Sequence, residues 1–225
     1  VIGLERARTL LRVGVGLDEW TDALLAAAPA SLVTWTATEV PGVLDPPHPG
    51  EPVDPHVWLD PVRVRDHLAP ALSRHLQALD PEQADGYRER LLDLTERLTR
   101  LHEEITSMLG HVRKRRYVAL HPGWHYFAAR YGLEQVGVVH GPALEEPTPR
   151  GLARLLDRAR RERPDALLVE PQLDGRIGAL LARELGSHVV LVDPLGDERD
   201  TRRSSYESLL REVASAVADR GTSAP

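Results

Sequence analysis

Ala166-Leu167-Leu168-Val169-Glu170-Pro171 and His188-Val189-Val190-Leu191-Val192-Asp193-Pro194 flank a segment, Arg176 to Leu185, whose apolar residues recur at helical spacing. Each flanking run is short, nearly all apolar, and stopped by an acid followed by proline. Such runs suit strands buried on both faces of a sheet. Outward from this unit the alternation continues. Tyr117 to Leu120 and Gln135 to Val139 read as strands, and Trp124 to Tyr131, Pro149 to Arg163 and Tyr206 to Asp219 read as helices. Strands alternating with helices imply a parallel sheet covered on both sides. Ligands of such sheets bind beyond the carboxyl ends of the strands. The final residues, Gly221 to Pro225, read as disordered.

Upstream the pattern is less regular. Leu4 to Thr9 reads as the end of a helix, Leu10 to Val15 as a buried strand closed by Gly16, and Ser31 to Thr36 as a strand. Asp18 to Ala28 reads as a helix capped by Asp18, with Trp20, Leu24 and Leu25 on one face. Val40 to Pro55 is a loop rich in proline and glycine. Pro61 starts a helix that runs to about Leu79. A second helix, capped by Asp80, runs from about Pro81 to Leu109 with Tyr87, Leu91, Leu94, Leu98, Leu101 and Ile105 at three-and-four spacing. At 1.5 Å per residue it spans about 42 Å, long enough for a coiled-coil arm or for a strut between two lobes.

The chain has 225 residues, a net charge of −6 and 42% hydrophobic residues, enough for one large domain or two small lobes. A nucleic-acid partner would need a basic face, so the acidic balance argues against one. The absence of cysteine removes disulfides, cysteine-zinc sites and thiol nucleophiles. No apolar run approaches the roughly 20 residues of a membrane-spanning helix. Dinucleotide and phosphate-loop motifs, zincin motifs and serine-hydrolase elbows are all lacking.

His121, Glu170 and Asp193 each follow directly on a strand, where a parallel sheet gathers its ligand-binding groups. His56 stands ahead of a helix in Asp54-Pro55-His56-Val57-Trp58-Leu59-Asp60-Pro61. Imidazole and carboxylate together suit a divalent transition metal such as zinc. The chain holds ten histidines, so spacing alone does not select among them. His67, His75 and His102 fall on helices and need no function, whereas His48, His111 and His140 fall in loops and read as solvated. His125 is a further candidate donor, four residues after His121. Glu170 reads as a carboxylate that orients an imidazole; as a general base it would instead suit a metal-dependent hydrolase.

The Asp54 to Pro61 octapeptide resembles the signature of the zinc and manganese solute-binding proteins of ABC importers, the TroA-like or ZnuA-like family. His121-Pro122-Gly123-Trp124-His125-Tyr126-Phe127, Glu170-Pro171-Gln172 and Val192-Asp193-Pro194-Leu195-Gly196 are similar to its later elements, in the same order, and Arg12 to Trp20 is similar to an earlier strand and turn. The resemblance implies an α/β fold of two lobes with parallel sheets flanked by helices, joined by one long rigid helix. On that plan residues 1–80 form an N-terminal lobe, 81–110 the linking helix and 111–225 the C-terminal lobe. It implies metal ligands at His56, His121 and Asp193, with Zn2+ as cargo and Mn2+ as the alternative. A histidine at position 121, where some members have glutamate, favours zinc. It further implies a monomer, not an enzyme, that hands metal to a membrane permease from the periplasm or the cell exterior, with a lipid anchor as one mode of attachment.

The family carries another histidine ligand, and the first strands of its N-terminal lobe, in a region before the equivalent of Val1. The chain therefore reads either as part of a longer protein or as a shortened paralogue with an incomplete N-terminal lobe and a degenerate site. His125 replaces the family's usual glycine, and a fourth donor would come from the earlier region, from His125 or from water. The family's acidic or histidine-rich loop is reduced to Pro46-Pro47-His48-Pro49.

Overall fold

The computed structural model describes residues 3–45, 53–112, 115–140, 148–173 and 175–219. The Pro46 to Pro49 loop with His48, and the Gly221 to Pro225 tail, lie outside the described residues. Contacts divide the chain into two units, Val1–Arg100 and Leu101–Pro225.

In the second unit the aliphatic runs form β3 (Arg116–Ala119), β4 (Glu134–Val138), β5 (Ala166–Val169) and β6 (His188–Leu191). All are parallel, in the spatial order β4-β3-β5-β6. Val118, Leu120, Leu167 and Val169 pack with Leu152, Leu155 and Leu156 of α6 (Pro149–Glu162) and with Ile177, Leu181 and Leu185 of α7 (Gly175–Leu185). Gly178 lets α7 lie close to β5, because a Cβ there would stand 2.8 Å from a Val169 methyl. The alternate residues Tyr117, Ala119, Leu168 and Val190 are buried too. Helices α5 (His125–Tyr131) and α8 (Tyr206–Ala218) contact β4 and β6 respectively. β5 is buried at every position and β3 at three of four, because a strand covered on both faces gains from apolar residues throughout. β6, expected to be buried likewise, leaves Val189 and Leu191 exposed at the sheet's edge.

The first unit is thinner. Strands β1 (Thr9–Arg12) and β2 (Val33–Thr36) pair in parallel, Leu10 beside Thr34. Leu4 to Thr9 is not a helix: turns run through Leu4 to Arg6, and Thr9 already belongs to β1. The expected helix over Asp18 to Ala28 shrinks to a 3-10 turn, Glu19–Thr21, and the single turn α1 (Asp22–Leu25). Asp18 does not cap it. Its carboxylate reaches back to accept from the backbone N–H groups of Val13 and Gly14, at 2.6 and 2.9 Å. Trp20 is 71% exposed rather than facing a core.

Pro61 does begin a helix, but not a regular one. A turn of α2 (Pro61–Arg63) passes through a π-helical stretch, Val64–Leu68, into α3 (Ala69–Leu79). Proline at 70 has no N–H to offer the carbonyl of residue 66, and its ring crowds that carbonyl. The wider turn, in which Ala69 N–H reaches back to Val64 O, accommodates it. After a 3-10 turn, Pro81–Gln83, the long helix α4 (Ala84–Leu109) follows, and the boundary between the two units falls within it.

Candidate metal centre

The first unit places His56 by local chemistry. Asp54 Oδ1 accepts from both the backbone N–H of His56, at 2.9 Å, and the ring Nδ1, at 2.6 Å. The carboxylate fixes the tautomer with its proton on Nδ1 and its lone pair on Nε2. This is how carboxylates orient metal-ligating imidazoles. Trp58 lies beside the ring, centroids 5.0 Å apart. Val57 and Leu59 are fully buried and anchor the turn. Asp60 then caps α2, accepting from Val62 N–H at 2.9 Å, and Pro61 occupies the position where no N–H is needed. The octapeptide thus aims one imidazole and starts one helix. His56 itself is 6% exposed.

The second unit brings its candidates to one edge of the sheet. His140, His121, Glu170 and Asp193 follow β4, β3, β5 and β6, in the sheet's own spatial order. Ladder hydrogen bonds continue just past the strands: His140 N–H to Leu120 O at 2.9 Å, Leu120 N–H to Leu168 O at 3.0 Å and Val192 N–H to Val169 O at 2.9 Å. Sequence reasoning missed His140 by placing it in a solvated loop. It is 8% exposed, with a buried Nδ1 that makes no hydrogen bond. The missed signal was its position just past a strand, the same signal that selected His121, Glu170 and Asp193.

Glu170 is buried and accepts a hydrogen bond from the Trp124 indole at 3.0 Å. Asp193, 6% exposed, is held at both oxygens. Oδ1 accepts from Gln172 Nε2 at 2.9 Å and from Leu195 N–H at 3.0 Å, and Oδ2 pairs with the Arg203 guanidinium at 2.7 Å. A cavity of about 550 Å³ opens here, lined in part by Gln172, Asp193, Asp197, Glu198, Arg199 and Arg203. Hydrogen bonds from the side chains of Arg199 and Arg202 are the main cause holding the Asp197 and Asp200 carboxyls below their usual range. Both acids are therefore charged at neutral pH.

His121 and Asp193 thus share one sheet edge, while His56 belongs to the other unit. Among the described residues no three His, Asp or Glu side chains are grouped so as to hold a metal ion. Several other histidines have structural neighbours. His75 Nε2 meets Thr9 Oγ1 at 2.8 Å, His67 packs over Gly42, and the His102 ring lies 5.7 Å from that of Tyr131. His125 opens α5 with its ring against Tyr126. Donor chemistry nevertheless fits a borderline cation, since imidazole nitrogen and carboxylate oxygen are ordinary zinc ligands.

Comparison with known proteins shows the family and the fold. The zinc uptake protein ZnuA of Haemophilus influenzae is 27% identical over 167 residues, 74% of this chain and 49% of that protein. Its counterpart in Paracoccus denitrificans is 30% identical over 172 residues, 74% of this chain and 51% of that one. The chain therefore spans about half the length of these curated relatives. A crystal structure of ZnuA superposes with a TM-score of 0.81 at 28% identity, covering 96% of this chain and 80% of that one. The family model of ZnuA, the periplasmic component A of zinc-uptake complexes, matches residues 1–220, and the chain belongs to that family.

Proposed function

We propose that this chain captures Zn2+ outside the cytoplasm and delivers it to the membrane permease of an ABC importer, with His56, His121 and Asp193 as ligands. The observation that carries the reading is the buried His56 imidazole, oriented at Nδ1 by Asp54. Metal-ligating histidines almost always donate their other ring N–H to an acceptor of this kind, and His56 has that support in Asp54. The strand-end row of His121 and Asp193 adds the donor types that zinc takes. A histidine rather than a carboxylate at 121 favours zinc over manganese, whose preference runs to oxygen. The reading is of a monomeric carrier, periplasmic or lipid-anchored at the cell exterior. Among the described residues no helix is long and apolar enough to cross a membrane.

Calorimetric titration of the intact chain with zinc and with manganese tests the proposal. Tight, saturable binding at a single site is expected for zinc, with weaker binding of manganese. His56→Ala and His121→Ala should each abolish the tight phase while leaving the circular dichroism spectrum unchanged. Parent and variants binding equally would end the assignment of these ligands, and a parent that binds no metal would mark a degenerate paralogue.

A further inference from the structure

Asp193 is already neutralised by the chain's own cation. Arg203 contacts Oδ2 at 2.7 Å, with side-chain exposures of 23% and 6% for the arginine and the aspartate. The loop between them is folded to make this contact. Asp197 N–H donates to Arg203 O at 3.1 Å, Arg203 N–H donates to Asp200 O at 2.9 Å, and Asp200 N–H donates to Asp197 O at 3.0 Å. Gly196 sits at φ +77° with the Arg203 carbonyl so near that a Cβ would fall 2.6 Å from it. The loop thus turns the chain back and presents residue 203 to residue 193.

We infer that Arg203 is a built-in competitor for the metal: it occupies the Asp193 carboxylate when no metal is held and thereby sets how tightly metal binds. The inference rests on the metal-capture reading above. A guanidinium and a divalent cation seek the same lone pairs, and a dication placed beside an undisplaced arginine is repelled. Metal must therefore push Arg203 away. Asp200, whose Oδ2 lies 3.3 Å from Arg203 Nε, provides a second carboxylate to receive it. When metal leaves, the ion pair re-forms, so the buried carboxylate is never left bare, which would be costly. The competitor thus weakens retention and eases release.

The test is zinc affinity, measured by competition with a chromophoric chelator, for the parent, Arg203→Gln, Arg203→Met, Arg199→Gln and Asp193→Asn. Arg203→Gln and Arg203→Met should bind zinc about ten-fold more tightly, the scale of a close, partly buried charge pair. Arg199→Gln makes the same change of charge in the same loop without touching Asp193, and should stay near the parent. Unchanged or weaker binding by both Arg203 variants would overturn the proposal. So would equal tightening by Arg199→Gln, which would assign the effect to overall charge. If the parent binds zinc and Asp193→Asn binds it equally well, Asp193 is no ligand and this proposal falls while metal capture stands. If the parent binds no zinc, both fall.

Discussion

Asp54 shows how far one neighbour can set the behaviour of a histidine. The His56 imidazole has two nitrogens, and a single carboxylate oxygen 2.6 Å from Nδ1 decides which carries the proton. Asp54→Asn keeps the size but can present an amide N–H to the ring and so favour the other tautomer. Loss of such an orienting group typically costs about 10- to 100-fold in metal affinity. That drop is the expected result of a zinc competition titration on Asp54→Asn, with thermal stability close to the parent's. The role of His56, His121 and Asp193 as ligands is the proposal made above, but their places, ahead of a helix or just past a strand, were legible in the sequence. That of Arg203 was not. It is one of three arginines among residues 199–203, and only the closed loop singles it out. His140 follows directly on the expected strand Gln135 to Val139 and nevertheless reads as solvated, because its burial is set by tertiary packing that spacing does not show.

At the scale of elements, β6 carried an apolar run although Val189 and Leu191 are exposed, but β5 was readable because burial on both faces leaves an uninterrupted apolar signature. The elements of the first unit were not, because short-range polar contacts decided them. Asp18, a plausible cap by type, serves the backbone of Val13 and Gly14 instead, and Pro70 forces a π turn into what reads as one continuous helix. Where the cap is real, its loss should be measurable. Asp60 is 2% exposed and satisfies Val62 N–H at the start of α2. Asp60→Ala should destabilise the protein by about 1–2 kcal/mol, read as a lower midpoint in urea unfolding with an unchanged slope. Because the same turn carries His56, the variant should also bind zinc less tightly.

At the scale of the whole molecule, the cores of the two units are unequal. Among the described residues the buried hydrophobics of the first unit are Ala37, Val43, Val57, Leu59, Ala69 and Leu98, whereas the second unit buries most of β3, all of β5 and the apolar faces of the helices against them. Fewer buried contacts mean easier local opening. Hydrogen exchange followed by mass spectrometry should therefore show β1 and β2 losing protection well before β3 and β5; equal protection would contradict this. Three of the four tryptophans sit in contrasting surroundings. Trp20 is wet, Trp58 lies beside the His56 ring, and Trp124 donates its indole proton to Glu170. If metal binds as proposed, the protein is its own optical gauge: Trp58 neighbours the proposed ligand His56, Trp124 holds Glu170 in the strand-end row, and the exposed Trp20 supplies a background against which their colour and brightness can be read.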